Sequence, residues 1–277
     1  MSTERIPLAG VIGSPIGHSK SPQLHQHWLR THGLRGYYIP MDVNTDELAT
    51  VLRTLPKMGF VGVNITVPHK EKAMEIADLV TDRATLIGAA NTLIFRKDGK
   101  IHADNTDGYG FIENLRQGAP DWNPKAGPAA VLGAGGAARA VVAALADIGV
   151  QEILISNRTR VRAEKLADDF GKRLRVVEWV KAGNMLEEAA LVVNTTSLGM
   201  LGKPELRVPL DGIQKSAVVT DLVYNPLETR LLREAREAGC RTVDGLGMLL
   251  HQAVPAFERW FGVRPEVDAA ARAAALR

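Results

Sequence analysis

The stretch Gly133-Ala134-Gly135-Gly136-Ala137 follows the apolar run Ala129–Leu132 and opens a small-residue helix that reaches a cap at Gly149. A strand, a glycine turn and a helix in that order make a cradle for a dinucleotide. Gly133 permits the tight turn, Gly135 lets the backbone approach a pyrophosphate, and Ala138 packs the helix against its strand. N–H groups at the helix start then attract phosphate oxygens. The turn alone is a weak signal, and its place between strand and helix is what gives it weight. A second set lies at the tip of the next strand, Asn157-Arg158-Thr159-Arg160-Val161-Arg162. An NAD-binding fold carries Asp or Glu there, and this chain has none. Arg158 and Arg162, four apart at a helix start, can converge on one phosphate. That favours a 2′-phosphate, hence NADP, over solvated arginines.

Hydroxyls and charges at helix starts form a third set. Ser19 and Ser21 stand beside Pro22, where they either cap a helix or bind a carboxylate. Lys70 falls in the first turn of a helix opened by Pro68, where the macrodipole disfavours a cation. It is either a solvated lysine, as Lys72 is expected to be, or a functional group held against local preference. Asp107 begins a helix of its own, which simple helix-start chemistry also explains. His69 reads as a structural histidine.

The elements that must hold these residues follow from periodicity and punctuation. Strands are expected at 7–12, 36–43 and 61–65, with helices after Ser21 as N-cap to Gly33 and from a capping box at Asn44 and Glu47 to Leu55. A helix carrying Asp78, Asp82 and Arg83 comes next. A hairpin then turns at Lys97-Asp98-Gly99-Lys100, and a helix capped by Thr106 ends near Gly118. Residues 117–128 read as a linker. Beyond it, strands at 153–156, 175–177, 191–194, 218–222 and 241–243 alternate with helices such as 161–170 and 228–238. This is the rhythm of a doubly wound parallel sheet. Residues 245–277 are helical and alanine-rich.

Composition narrows the class. The 277 residues are enough for two domains, and 45% hydrophobic with 23% charged residues describe a soluble globular chain. A net charge of +3 and 5% aromatics, with no basic-aromatic interleaving, argue against a nucleic-acid partner. Cys240 is the single cysteine, so no intramolecular disulfide or thiolate metal cluster forms. No metal-ligand cluster, signal peptide or membrane span is visible, and the expected compartment is the cytoplasm.

Taken together, Ser14-Pro-Ile-Gly-His-Ser19-Lys-Ser21-Pro22, Asn64-Ile-Thr66-Val-Pro-His-Lys70, Gly88-Ala-Ala-Asn91-Thr92 and Asn105-Thr-Asp107-Gly108 resemble the shikimate dehydrogenase family. The glycine turn, Asn157-Arg158-Thr159, Asn194-Thr-Thr-Ser-Leu-Gly-Met200 and Gly245-Leu-Gly-Met248-Leu-Leu-His-Gln252 continue the resemblance along the chain. It implies an α/β fold of two domains: an N-terminal substrate domain (1–107) and a Rossmann-type NADP domain (108–244), with C-terminal helices (245–277) returning to the first. It implies NADPH-dependent reduction of 3-dehydroshikimate to shikimate in aromatic biosynthesis, with Lys70 and Asp107 as the catalytic pair. By the same resemblance Ser19, Ser21 and Tyr224 bind the substrate carboxylate, while Asn64, Thr66, Asn91 and Gln252 bind ring hydroxyls. Gly133 to Ala137 hold the pyrophosphate, and Asn157, Arg158, Thr159 and Arg162 hold the adenosine ribose phosphate. Asp82, Leu222, Gly245 and Met248 border the nicotinamide.

Chemistry agrees with these roles. A ketone being reduced needs a proton on its developing alkoxide, and an ammonium destabilised by a helix dipole has a more useful acidity than a free one. The alternatives are a quinate/shikimate dehydrogenase with relaxed cofactor use, and a catalytically silent NADP-binding sensor. The partner is a small molecule, without nucleic acid or membrane, and a homodimer is compatible with the sequence.

Overall fold

The computed structural model describes residues 6–277; residues 1–5, counted above with the first domain, lie outside the described residues. The chain divides into two compact units. One joins the chain up to Thr106 to Leu250–Arg277, and the other is Asp107–Leu249.

The first unit begins with β1 (Leu8–Gly13), α1 (Ser21–Thr31), β2 (Tyr37–Asp42), α2 (Leu48–Thr54), β3 (Phe60–Ile65) and α3 (Lys70–Ile76). It continues through β4 (Leu79–Val80), α4 (Asp82–Ile87), β5 (Thr92–Phe95) and β6 (Ile101–Asp104). The strands form one sheet in the order β2-β1-β3-β5-β6-β4. Its β2-β1-β3 half is parallel, and the β5–β6 hairpin is antiparallel. β1 is buried along nearly its whole length, as a strand covered on both faces requires. β2 lies at the edge, where Pro40 costs no ladder hydrogen bond. The hairpin turns at the expected residues, with Gly99 at φ +83° and the Arg96 N–H bonding the Lys100 carbonyl at 3.0 Å.

Local expectations fail here in instructive ways. Ser21 does not cap α1. It is the first helical residue, Lys20 holds the cap position, and the Ser19 hydroxyl accepts the Ser21 N–H at 3.3 Å. The capping box at Asn44 and Glu47 closes instead as a separate turn: the Glu47 N–H bonds the Asn44 carbonyl, and α2 starts only at Leu48. The helix expected to carry Asp78, Asp82 and Arg83 is broken. The Asp78 carboxylate accepts the Ile101 N–H at 2.7 Å and pairs with Arg53, which draws Leu79–Val80 alongside β6. Thr81 then caps α4 by accepting the Ala84 N–H.

The second unit holds α5 (Asp107–Gly118), β7 (Ala129–Leu132), α6 (Gly136–Asp147), β8 (Ile153–Ser156), α7 (Arg160–Phe170) and β9 (Leu174–Val177). After these come α8 (Ala182–Glu187), β10 (Leu191–Asn194), β11 (Val218–Asp221), α9 (Arg230–Glu237) and β12 (Arg241–Val243). All its strands pair in parallel, in the order β12-β11-β10-β7-β8-β9. Counted from the glycine-turn strand, that is the doubly wound dinucleotide order. β7, β8, β10 and β11 are buried throughout, with separate apolar clusters on the two faces of the sheet. The short α8 adds to the elements expected from sequence.

α10 (Leu246–Phe261) and α11 (Ala269–Leu276) complete the chain. From Leu250 onward they belong to the first unit, where Phe257 and Trp260 pack with His25, Trp28 and Tyr38. The Trp28 indole donates to the Glu266 carbonyl at 3.1 Å, and Asp268 caps α11. Gly62 in β3 admits this packing, because a Cβ there would overlap the Trp260 indole and the Leu93 carbonyl. No helix among the described residues is long and apolar enough to cross a membrane.

Candidate active site

In the first unit the expected substrate residues gather at the C-terminal ends of β1 and β3 and at the hairpin's entry. Asn64, the fifth residue of β3, is buried. Its amide nitrogen donates to the Asn91 carbonyl and to the Thr92 hydroxyl, both at 3.1 Å, while its oxygen accepts the Tyr38 hydroxyl at 2.8 Å. Asn91 is buried too. Its nitrogen donates to the Thr106 hydroxyl at 3.0 Å and to Gln252 Oε1 at 3.1 Å, and its oxygen accepts the Thr106 N–H at 2.9 Å. The Thr106 hydroxyl, expected to cap α5, bonds Asn91 Oδ1 at 3.1 Å and the Gln252 carbonyl at 2.9 Å. Gln252 thus reaches the cluster from α10, as part of the same unit. Thr66 is half-buried just past β3, with its N–H bonded to the Ile12 carbonyl.

Lys70 is the first residue of α3 and half-buried, and its carbonyl accepts the Ala90 N–H at 2.9 Å, which ties it to the segment bearing Asn91. Lys72 is an exposed lysine paired with Glu75. His69 is fully buried with Nε2 2.7 Å from the Val43 carbonyl, a structural histidine. Ser19 is half-buried and Ser21 buried at the start of α1. Asp82, expected with the cofactor, belongs to this unit, exposed in the first turn of α4.

The second unit presents a different surface. Gly133 has φ +110°, and a Cβ on it would lie 2.5 Å from Thr195 Oγ1, so only glycine fits the turn. Ala134 and Ala137 are half-buried, and Ala138 is fully buried against the core. At Gly135 and Gly136 a Cβ would meet nothing within 4 Å. The N-terminus of α6 is therefore open to an approaching phosphate, and the residues present fit a pyrophosphate there.

At the tip of β8 the half-buried Asn157 donates to the Thr159 carbonyl at 2.8 Å, and Thr159 holds the cap position of α7. One expectation is corrected here. Arg158 precedes the cap and α7 starts at Arg160, so Arg158 and Arg162 are not an i,i+4 pair on one helical face. Arg160 between them is committed to Glu164 at 2.7 Å and Glu178 at 3.3 Å. Arg158 and Arg162 are exposed and make no ion pair among the described residues.

Asp107 opens α5 in this unit, half-buried. Leu222 and Met248 are partly buried at the edge of its core, and Gly245 packs so closely on the exit of β11 that a Cβ would sit 2.5 Å from the Leu222 carbonyl carbon. Tyr224 is half-buried, and burial raises its phenol pKa.

Family models match the chain along most of its length. A shikimate dehydrogenase substrate binding domain covers residues 11–93, a shikimate / quinate 5-dehydrogenase model 121–203, and a shikimate 5'-dehydrogenase C-terminal domain 245–275. A shikimate dehydrogenase (NADP(+)) of Cereibacter sphaeroides is 70% identical over 98% of both chains. The chain belongs to the shikimate dehydrogenase family. Among solved members, shikimate 5-dehydrogenase from Thermus thermophilus, in complex with NADP(H) and shikimate, superposes with a TM-score of 0.87 at 39% identity, covering 99% of each chain. Quinate dehydrogenase from Corynebacterium glutamicum, in complex with NAD, gives 0.89 at 33% identity over 97% of this chain and 98% of its own.

Two groups of this shikimate dehydrogenase family member escaped the sequence reading. One is Tyr38, which fixes the Asn64 amide. The other is Asp221, fully buried where β11 ends, whose carboxylate accepts from Asn194 Nδ2 at 2.9 Å, the Val223 N–H at 3.0 Å and the Thr229 hydroxyl at 2.7 Å. Burial raises its pKa to about 6 against the pull of those three bonds. It ties together the turns after β10 and β11, next to Leu222. No sequence signal marks either residue, because a tyrosine in an edge strand and an aspartate at a strand end are both ordinary.

Proposed function

We propose that this chain catalyses the NADP-dependent, reversible reduction of 3-dehydroshikimate to shikimate, a step of aromatic biosynthesis. The observation that carries the cofactor half is the pair of arginines without ion pairs among the described residues at the tip of β8, where NAD-binding folds place a carboxylate. The substrate half rests on the buried amide and hydroxyl cluster of the first unit, suited to a small polyol. On this reading 1–107 is the substrate domain, 108–244 the NADP domain, and 245–277 the returning helices, whereas the compact units break one residue earlier, at Asp107, and five residues later, at Leu250.

Gly133, Ala134, Gly135, Gly136 and Ala137 hold the pyrophosphate, with Asn157, Arg158, Thr159 and Arg162 on the ribose phosphate and Asp82, Leu222, Gly245 and Met248 about the nicotinamide. NADPH supplies a hydride to the carbonyl carbon. Lys70 gives a proton to the oxygen as its negative charge develops, and Asp107 is the second member of the catalytic pair. Ser19, Ser21 and Tyr224 bind the carboxylate; Asn64, Thr66, Asn91 and Gln252 bind the hydroxyls. The enzyme works in the cytoplasm on a small molecule, a homodimer being compatible with the sequence, with no part for nucleic acid or a membrane.

The test is reduction of NADP+ and of NAD+ at mildly alkaline pH with shikimate and quinate side by side. Shikimate with NADP+ should be the fastest pair. Faster turnover of quinate with NAD+ would replace this reading with the quinate dehydrogenase one, and no turnover of any pair would leave a silent dinucleotide-binding protein.

A further inference from the structure

We propose that Tyr38 is a positioning residue for substrate: its hydroxyl, held in place by a ring stack with His25, fixes the Asn64 amide so that only oxygen is offered to a ligand hydroxyl. The inference rests on the function proposed above.

Proton bookkeeping sets the direction of the chain. The Asn91 carbonyl can only accept, so the Asn64 group 3.1 Å from it is the nitrogen. The second Asn64 amide hydrogen goes to the Thr92 hydroxyl. Asn64 Oδ1 therefore faces Tyr38, and the hydrogen between them at 2.8 Å is the phenol's. With both N–H groups committed, Asn64 has one capacity left, a lone pair on Oδ1. A ring hydroxyl can donate to it, whereas a carbonyl or ether oxygen there would meet oxygen.

The phenol is built to stay in that state. Tyr38 is 2% exposed, and burial pushes its pKa far up, so it keeps its hydrogen. Its ring stacks on His25 with centroids 3.8 Å apart and planes 9° from parallel. His25 is itself fully buried, and neither ring nitrogen finds a hydrogen-bond partner among the described residues. Trp28, Phe257 and Trp260 surround it. Its contribution is its flat face, and through Tyr38 that face acts on Asn64.

The test compares Tyr38→Phe, His25→Ala and His25→Phe for shikimate KM, NADP+ KM, kcat and Tm. Tyr38→Phe removes the hydrogen bond to Asn64 Oδ1 and the one with Ser21, and leaves the amide held only by the Asn91 carbonyl and the Thr92 hydroxyl. It should raise the shikimate KM about tenfold while kcat changes less and the NADP+ KM stays put. His25→Ala should raise the shikimate KM in the same direction, and His25→Phe, which keeps a flat ring, should restore it. These two variants carry the test if Tyr38→Phe does not fold. A lowered Tm with unchanged shikimate KM would make the stack merely structural and overturn the proposal, as would an equal rise in both KM values. Wild-type protein without activity on shikimate would sink the functional reading itself, whereas an active wild type with an unaltered Tyr38→Phe sinks only this inference.

Discussion

The two units build their surfaces by opposite means. In the first, side chains crowd together: Tyr38, Asn64, Asn91, Thr92, Thr106 and Gln252 satisfy one another before any ligand arrives. In the second, side chains are missing or left without ion pairs. Gly133, Gly135 and Gly136 expose backbone, and Arg158 and Arg162 stand beside the committed Arg160 without carboxylates of their own among the described residues. The contrast follows from what each is proposed to bind. A small polyol is distinguished by the direction of each hydrogen bond, so its partners must be locked. A pyrophosphate is recognised by charge and by backbone N–H groups, so the need there is access.

The contrast predicts where substitutions act. Lys70→Met should have the largest effect, because it removes the proton donor but keeps much of the apolar bulk. An acid-base group contributes about 10²–10⁴-fold, so kcat should fall by that order with far smaller changes in either KM. Near-normal kcat would transfer the role to Asp107.

Next comes Ser19→Ala/Ser21→Ala. If both hydroxyls bind a carboxylate, losing them should cost on the order of 3 kcal/mol, read as a raised shikimate KM with NADP+ affinity intact. An unchanged shikimate KM would leave Ser19 as no more than the acceptor of the Ser21 N–H.

Arg158→Ala should do the reverse, raising the KM for NADP+ about tenfold or more and hardly touching that for NAD+, which lacks the phosphate. Equal weakening of both cofactors would make the arginine structural and erase the contrast.

The effect that leaves kcat and KM untouched is in stability against pH, where the two units pull in opposite directions. Burial lowers the His25 pKa from 6.5 to about 3, so the folded chain binds fewer protons than the unfolded one between those values. The stability this contributes is present above pH 6.5 and drains away as pH falls toward 3. Asp221 goes from 3.8 to about 6, so its contribution is present below pH 3.8 and is lost as pH rises through 6. Between about pH 4 and 6 the two offset each other. His25→Phe should therefore leave a Tm that falls as pH rises across that window, by about 2–4 °C for each kcal/mol. A Tm profile identical to wild type would show that His25 does not titrate with unfolding.

Much of the fold is legible in sequence because its causes are local. The Lys97–Lys100 turn, the β7–turn–α6 unit and the parallel strands at 153–156 and 191–194 follow from glycine placement and short apolar runs, which act over a few residues. The same holds for the missing carboxylate at the tip of β8. Helix starts expected at Ser21 and Asn44 lie a residue or a turn away from where the structure has them, since a competing hydrogen bond nearby is enough to shift them.

What the tertiary structure alone decided lies farther apart along the chain. Asp78 meets the Ile101 N–H across 23 residues and splits an expected helix. Tyr38 and Asn64 are 26 residues apart, Asn91 and Gln252 are 161 apart, and the Trp28 bond to Glu266 that docks the C-terminal segment spans 238. No window of sequence contains both partners of such a bond. Periodicity can mark Gln252 as lying on a helix, but only packing of Phe257 and Trp260 against His25 and Tyr38 sets which polar cluster that helix delivers it to.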